Sequence, residues 1–274
     1  MKRIACIHTV YSVIDSFTRQ LREGIPGDFK IHTLYDDFLA SDPADTGKFS
    51  AINHQRLRLD FQACALTGAD VIVVSCSTLS PSVRLLRGEV NVPVVAIDDA
   101  MVADAVAAGR RIGLLATANS TVGPSSSALQ AAAAAAGTEI QLQVLCNEEA
   151  NRAMKSGDKA THDRLVLELA EQLAPCDVVV LAQASMAHME AAVAERTGIP
   201  VLSSPKRCIA QVREILEKRD LWARRGVSRK VSGKFFTQSS QSDGQTALRE
   251  IKKAGIIGAP KELLWERRLI PWHL

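Results

Sequence analysis

A thiol and several hydroxyl groups follow one strongly predicted strand of this 274-residue chain. Residues 70–81 read DVIVVSCSTLSP, and Val71–Val74 is an unbroken β-branched run, typical of a strand buried on both faces. Cys76, Ser77 and Thr78 come directly after that strand. Ligands of open parallel sheets bind outside the carboxyl ends of the strands. The spacing therefore predicts that these side chains and the backbone N–H groups beside them hold a small anion.

The same pattern occurs again later in the chain. Residues 177–186 read DVVVLAQASM and begin 107 positions after the first segment, while RIGLLAT at 111–117 repeats RIACIHT at 3–9 with an offset of 108. These offsets predict two similar α/β halves whose strand ends face each other across one cleft. Gln183 stands in the second half where Cys76 stands in the first.

Cys76 admits two interpretations. As a thiolate it would act as a proton-transfer base or a nucleophile, stabilised by the N-terminus of the helix that follows. As a packed strand-end residue it would be one more of the small buried side chains that cysteines often are. The sequence leaves both interpretations open. Ser80 and Pro81 predict the cap and the first residue of the following helix.

Other strand ends supply the remaining candidate residues of the site. A carboxylate could be held by their hydroxyl or N–H groups, and each could equally serve as a cap, a turn residue or a satisfied core residue. The candidates for substrate binding are His8, Thr9, Ser77, Thr78, Thr117, Thr121, Gln183, Ala184 and Ser185. His188, one turn into a later helix, is expected to face solvent, and Asp99 is expected at a helix N-terminus.

The order of the predicted elements indicates the fold class. Strands that alternate with helices predict mostly parallel sheets with right-handed crossovers. Residues 1–109 are expected to form the first α/β half and residues 110–219 the second, and the last helix of each could pack with the other half. Residues 36–47 and 117–121 predict loops. Residues 147–157 predict a polar connection with at most a turn or two of helix.

Composition and motifs exclude several classes of function. The chain is 47% hydrophobic and 23% charged, has no apolar run of membrane-spanning length and has no secretory signal, so a cytoplasmic protein without a membrane partner is expected. Its six cysteines lack metal-binding spacing, and phosphate-binding glycine motifs are absent, so neither a metal nor a nucleotide is expected. Residues 220–274 hold all three tryptophans and eleven Lys/Arg against five Asp/Glu, which predicts a separate C-terminal extension. No nucleic-acid motif accompanies this charge, so no nucleic-acid partner is expected.

Four segments together resemble the aspartate/glutamate racemase superfamily, which includes hydantoin racemases and related decarboxylases and isomerases. They read VIVVSCSTLSP, RIGLLATANSTV, DVVVLAQASMAHM and IPVLSSP, and the resemblance covers roughly residues 1–217. It implies two pseudosymmetric halves with the active site between them, a small carboxylate substrate, no cofactor and a homodimer. It also implies two cysteines on opposite faces of the substrate Cα. Cys76 matches the first, and Gln183 replaces the second.

The replacement bears on the expected reaction, because an amide has no titratable proton and Gln183 cannot act as a general acid or base. The resemblance implies a racemase-type isomerase that acts on an amino-acid-like carboxylate by cysteine-mediated proton transfer at Cα. The alternative is a single-cysteine decarboxylase or a cis–trans isomerase of a small diacid. A carboxylate-binding protein without catalysis is a third hypothesis.

Overall fold

Two four-stranded sheets, each parallel throughout, form the centre of the fold in this computed structural model, which describes residues 1–224 and side chains as far as residue 219. The first sheet contains β1 (Lys2–His8), β2 (Phe29–Tyr35), β3 (Val71–Val74) and β4 (Val94–Ala96), and the second contains β5 (Arg111–Ala116), β6 (Gln141–Cys146), β7 (Val178–Leu181) and β8 (Val201–Leu202). The strand orders, β2-β1-β3-β4 and β6-β5-β7-β8, are the same. The predicted α/β fold with two pseudosymmetric parallel-sheet halves is confirmed.

Ten α-helices connect the strands within the described residues. They are α1 (Val13–Gly24), α2 (Phe38–Thr46), α3 (Ala51–Leu66), α4 (Ser80–Leu86), α5 (Asp99–Ala108), α6 (Asn119–Ala135), α7 (Glu148–Lys155), α8 (Lys159–Ala170), α9 (Glu190–Thr197) and α10 (Ser204–Arg224). Two 3₁₀ segments follow the central strands and are named the first-half turn (Ser77–Leu79) and the second-half turn (Ala184–Met189); a third is Arg87–Glu89. None of the helices in residues 1–224 combines the length and apolarity needed to cross a bilayer. Apart from the end of α10, the predicted extension at 220–274 lies outside the described residues.

The internal repeat extends to individual backbone hydrogen bonds. Every residue of β3 and β7 is buried, as expected for central strands covered on both faces. Just beyond β3, the N–H of Ser75 donates to the carbonyl of Ile7 at 3.0 Å, and just beyond β7 the N–H of Ala182 donates to the carbonyl of Leu115 at 2.9 Å. The two carboxyl edges are therefore built on the same backbone register.

The last helix of each half packs on the other half. Buried residues of α10 join the hydrophobic core formed by β1, β3 and α1. Buried residues of α5 join the core formed by β5, β7 and α6. These exchanged helices tie the two sheets into one compact unit that spans residues 1–225. Because burial of apolar surface is the main favourable term in folding, each half depends on the other for part of its core.

The segment 36–47, expected to be a loop, contains helix α2. Leu39 in this helix is completely buried, and the guanidinium of Arg56 lies over the ring of Phe38, 5.2 Å from its centroid. Gly47 ends the helix in the left-handed conformation, with φ of 73°. Tertiary contacts thus outweigh the low helix propensity of the Asp, Ser and Pro residues in this segment, which is why the loop prediction is wrong.

Two further local predictions need correction. Ser80 does not cap α4: the first-half turn precedes the helix, and Ser80 is the buried first residue of α4. Residues 117–121 are not a loop throughout, because α6 begins within them. The connection at 147–157 contains α7, which is about two turns long, as predicted. The Asn147 side chain caps its start by accepting a backbone N–H at 3.1 Å.

Candidate active site

Cys76 lies at the carboxyl edge of the first sheet and is partly exposed. Its backbone is extended, with φ of −112° and ψ of 113°, and the first-half turn begins directly after it. The first bond of the turn runs from the N–H of Leu79 to the carbonyl of Cys76 at 3.1 Å. The N–H groups of Ser77 and Thr78 therefore precede the helical bonding, where backbone donors have no partner within the helix. A thiol thus lies beside two donors that a carboxylate could use.

The other five cysteines are poor candidates for a thiolate. Burial raises the pKa of Cys6 and Cys64 to about 12 and raises the pKa of Cys208 well above its usual range. Cys146 and Cys176 are partly exposed, yet burial is the largest effect on each and raises its pKa. A thiol with a raised pKa stays protonated and reacts slowly. The thiol after β3 is therefore the one best placed for chemistry.

His8, at the end of β1, is completely buried. Its Nδ1 lies 2.7 Å from the hydroxyl of Ser75, which in turn donates to the carbonyl of Ile7 at 3.3 Å. The His8 ring packs edge-on against Phe17 with 5.9 Å between centroids. Burial lowers the pKa of His8 to about 4, so the ring is neutral near pH 7. The structure therefore places His8 beneath the edge of the sheet, where it joins two strands.

Thr9 follows His8 and is also buried, but its Oγ1 has no hydrogen-bond partner within residues 1–224. A buried hydroxyl left unsatisfied costs free energy unless water or a ligand completes it. Thr9 lies at the same edge of the sheet as Cys76, because β1 and β3 are adjacent strands. Its hydroxyl is thus available to a ligand bound at this edge.

Gln183 occupies in the second half the position that Cys76 occupies in the first, and its amide is fixed by Thr117. The backbone N–H of Thr117 donates to Gln183 Oε1 at 2.8 Å, and Gln183 Nε2 donates to Thr117 Oγ1 at 3.0 Å. An amide has two N–H groups on Nε2, so one remains for another acceptor. Both the backbone N–H and the hydroxyl oxygen of Thr117 are therefore bonded to Gln183.

The two carboxyl edges border one interface within the unit. The first-half turn and α4 pack against α6, which begins just after Thr117. The second-half turn packs against α10, and its first residue, Ala184, contacts the first-half core that contains Phe17 and Ile97. Each of the two turns that follow Cys76 and Gln183 therefore contacts elements of the other half.

The remaining candidates differ in exposure. Ser77 and Thr78 are partly exposed in the first-half turn, and Ser185 is exposed in the second-half turn. Thr121 is buried in the first turn of α6, where its N–H donates to the carbonyl of Ala118 at 3.0 Å. The fold thus brings the hydroxyls of the two turns to the carboxyl edges and leaves Thr121 behind them.

Asp99 begins α5, as expected, and is held by several donors. It accepts the N–H of Ala96 at 3.0 Å and pairs with Arg84 at 2.9 Å and Arg87 at 3.0 Å. Its neighbour Asp98 is nearly fully buried; burial raises its pKa, although Arg84 lies 2.8 Å away. These contacts fix α4 against the end of β4, which makes Asp99 a positioning residue.

His188 is exposed, as expected, but it does not simply face solvent. It contacts Asp163, which also contacts His162, and these three residues could together ligate a metal ion. The sequence contains no short metal-binding spacing that indicates this group, because its members come from α8 and the second-half turn. Asp163 and His188 are 25 residues apart. No local pattern in the sequence signals the contact.

Comparison with known proteins identifies the class. The sequence profile of the Asp/Glu/Hydantoin racemase family matches residues 7–212, so the chain belongs to that family. No curated protein matches the sequence. The family assignment agrees with the duplicated sheet and with the motifs that surround Cys76 and Gln183.

Solved structures share the fold at low sequence identity. A glutamate racemase isoform from Bacillus anthracis is 15% identical, with a TM-score of 0.61 over 80% of this chain and 82% of its own. A putative Asp/Glu racemase from Yersinia pestis is 19% identical, with a TM-score of 0.61 over 79% of this chain and 100% of its own. An allantoin racemase from Klebsiella pneumoniae is 14% identical, with a TM-score of 0.56 over 80% and 89%. At these identities the similarity shows the fold alone.

Proposed function

We propose that this protein is a cofactor-independent, racemase-type isomerase that moves a proton at Cα of a small, amino-acid-like carboxylate. The observation that carries the proposal is the position of Cys76, a partly exposed thiol at the end of a buried strand beside the start of a helical segment. Membership of the racemase family supports the same type of reaction. The buried hydroxyl of Thr9, which has no hydrogen-bond partner among the residues that the structure describes, supports a ligand at this edge.

In the proposed reaction, the Cys76 thiolate removes the Cα proton and becomes a thiol. The electron pair left at Cα spreads into the substrate carboxylate as an enolate-like intermediate. The N–H groups of Ser77 and Thr78 and the Thr9 hydroxyl hold that carboxylate and stabilise its added negative charge. Such electrostatic stabilisation is the largest single contribution to catalysis in many enzymes. Return of the proton to Cα from the same thiol regenerates the thiolate. When water on the other face supplies the proton instead, the Cys76 thiol releases its own proton to solvent, which completes the cycle.

The second half is proposed to orient the substrate. The remaining N–H of Gln183 Nε2, the N–H of Ala184 and the hydroxyl of Ser185 could all donate to substrate oxygen atoms. Gln183 cannot supply a proton to the second face, because its amide does not titrate. Water is the proposed donor there, since the ring nitrogens of His188 are engaged by Asp163 and Ser185.

The fixed Gln183 amide favours a second candidate function in which one thiol suffices. In a decarboxylase, loss of CO₂ leaves a carbanion without the help of a base, and the Cys76 thiol then protonates it. In a cis–trans isomerase of a small diacid, Cys76 would add to the double bond and leave again after rotation. The hydrogen bonds between Gln183 and Thr117 at 2.8 and 3.0 Å motivate these alternatives.

We also propose that the protein works as a homodimer in the cytoplasm, with a small molecule as its ligand and neither nucleic acid nor a membrane as partner. The family resemblance supports the dimer. Sedimentation equilibrium at several protein concentrations tests this part of the proposal, and a monomer at every concentration would contradict it.

The reaction is tested by incubating the protein in D₂O with aspartate, glutamate, hydantoins, and malonate- and maleate-type acids. NMR and mass spectrometry follow deuterium at Cα in the wild type, in Cys76→Ala and in the control Cys146→Ala. Label in recovered substrate indicates racemase chemistry, and label only in product indicates decarboxylation. The proposal is supported if deuterium incorporation is lost in Cys76→Ala and is retained in the control Cys146→Ala. Equal activity in Cys76→Ala overturns it, and ligand-induced stabilisation without any turnover favours a binding protein.

A further inference from the structure

Three side chains of types that can ligate a metal ion converge in the second half. His162 and Asp163 lie in the first turns of α8, and His188 lies in the second-half turn. One ligand atom from each lies within 4.8 Å of the other two. Both histidines approach the same carboxylate oxygen, since His162 Nδ1 and His188 Nε2 lie 2.8 and 2.7 Å from Asp163 Oδ1.

The orientation of the His188 ring follows from its second contact. Its Nδ1 lies 3.0 Å from the carbonyl oxygen of Ser185, and a carbonyl only accepts, so Nδ1 carries a hydrogen. The other ring nitrogen, Nε2, faces Asp163 Oδ1 at 2.7 Å and is the atom that can bind a metal ion. A backbone carbonyl on the far nitrogen is the arrangement that orients metal-bound histidines.

The other two residues are suited to the same role. The Asp163 side chain is 30% exposed, so its carboxylate can turn toward an ion held by the two rings. His162 is completely buried, and its Nε2 has no partner among the described residues. Its Nδ1 lies 2.8 Å from Asp163 Oδ1 and is the ring nitrogen that faces the other two residues.

We propose that His162, Asp163 and His188 bind a divalent transition-metal ion, with Zn²⁺ as the preferred occupant. Two imidazoles and one carboxylate form a common ligand set for such ions, with water completing a tetrahedral site. Zinc–nitrogen bonds of about 2.0–2.1 Å require the nitrogen–oxygen contacts to open by roughly half an ångström. The His188 side chain can move that far, because 30% of its surface is exposed.

The ion would fasten the second-half turn to α8. That turn begins immediately after Gln183 and carries Ala184 and Ser185, so the ion would order one wall of the proposed substrate site from outside it. The ion takes no part in the proposed proton transfer. Metal binding and catalysis by Cys76 can therefore fail independently of each other.

The test measures metal binding by the full chain. Calorimetry with Zn²⁺ and the visible absorption of bound Co²⁺ are recorded for the wild type, Asp163→Asn and His188→Gln. His54→Gln is the matched control, because His54 Nδ1 also contacts a serine carbonyl, at 2.9 Å, and His54 belongs to no group of possible metal ligands in the described part of the chain. Cys76→Ala and His273→Gln remove two other side chains that could hold the ions.

The proposal predicts about one ion per chain, a higher melting temperature with Zn²⁺, and at least about 10-fold weaker binding in Asp163→Asn and His188→Gln, as metal-site substitutions cause. His54→Gln, Cys76→Ala and His273→Gln should bind like the wild type. Because metal displaces protons from histidine, the affinity should also fall as the pH is lowered. Absence of binding, or equal binding by His188→Gln and the wild type, overturns the proposal and leaves His188 as a hydrogen-bond partner of Asp163.

Discussion

The two halves have the same backbone arrangement, but they differ in the position of one hydrogen-bonded pair of side chains that joins neighbouring strands, here called the polar pair. In the first half the pair is His8 and Ser75, joined at 2.7 Å beneath the edge of the sheet. Thr9 and Cys76, one residue further along each strand, are not bonded to each other. The Thr9 hydroxyl and the Cys76 thiol are consequently left for a ligand.

In the second half the pair has moved outward by one residue. Ala116 and Ala182 occupy the positions of the buried histidine and serine, and Thr117 and Gln183 form the polar pair at the edge itself. This pair uses the groups that would otherwise meet a ligand. A displacement of one position along the strands thus leaves a thiol and a hydroxyl without each other as partners in the first half, and joins the two edge side chains in the second.

The difference shows how a duplicated scaffold can become chemically one-sided without a change of fold. Backbone bonds on the two sides agree closely, since the bond into Cys76 is 3.1 Å and its counterpart from Met186 to Gln183 is 3.0 Å. The side chains at four strand-end positions carry the difference. Substitutions at these positions are therefore the sharpest way to test the comparison.

Substitutions of the strand-end side chains should have the largest effect, which is on the reaction rate. Cys76→Ser keeps the size of the residue but removes the thiolate, so the rate of Cα exchange should fall by about 10²- to 10⁴-fold, the usual contribution of a proton-transfer group. Gln183→Leu removes no titratable group, so its rate should stay within roughly 10-fold of the wild type, below that contribution. Stopped-exchange NMR on the best substrate of the panel measures both. A larger loss in Gln183→Leu than in Cys76→Ser would reverse the assigned roles of the halves.

The buried histidine of the first half should make stability depend on pH. Its pKa is about 4 in the folded protein and 6.5 ordinarily, so the unfolded chain takes up the proton first as the pH falls. Stability should decrease between pH 6.5 and 4 by on the order of 3 kcal/mol from His8. Urea unfolding of the wild type and His8→Asn at several pH values measures this decrease.

The comparison with His8→Asn is needed because Asp60 has the opposite effect. Burial and the nearby charge of Asp36 raise the pKa of Asp60 to about 7, so this carboxyl favours the folded state as the pH falls. Only the difference in unfolding free energy between the variant and the wild type isolates the contribution of His8. Asparagine is chosen because its side chain keeps a hydrogen-bond donor for Ser75. Parallel pH profiles for the two proteins would contradict the account of His8.

The polar pair of the second half should contribute a smaller amount to stability. Gln183→Leu leaves the buried N–H of Thr117 without an acceptor, which costs about 1–3 kcal/mol. The melting temperature should fall by about 2–4 °C per kcal/mol in a protein of this size. Gln183→Glu is the control, since its carboxylate can still accept from the N–H and the hydroxyl of Thr117. Equal melting temperatures for the leucine variant and the wild type would show that the pair is not a stabilising contact.

Much of the fold could be predicted from the sequence because its signals are local and repeated. The apolar runs at 71–74 and 178–181, which are rich in β-branched residues, mark the central strands, and the near-constant offset between halves gives the duplicated topology. Helix α2 could not be predicted in this way. Its stability comes from the burial of Leu39 and from the contact of Phe38 with Arg56 in α3, which only the folded chain supplies.

The candidate site was predictable in position but not in detail. Strand ends gave the location of Cys76 and Gln183, since the carboxyl edge of a parallel sheet is where its strands end together. The partner of Gln183 was not predictable, because Thr117 belongs to another strand and either a ligand or the backbone could have satisfied the amide. The group of His162, Asp163 and His188 could not be predicted for the same reason, because its contacts join two elements that are distant in sequence.

The measurement that tests the central claim most directly is the alkylation rate of each cysteine, which needs no known substrate. Folded protein is treated with iodoacetamide at several pH values, and mass spectrometry of its peptides gives the rate at each of the six thiols. The account predicts that Cys76 reacts first, that Cys6, Cys64 and Cys208 react only after unfolding, and that a bound carboxylate protects Cys76. Faster alkylation of Cys146 or Cys176 than of Cys76 would contradict the claim that the reactive thiol lies at the end of β3.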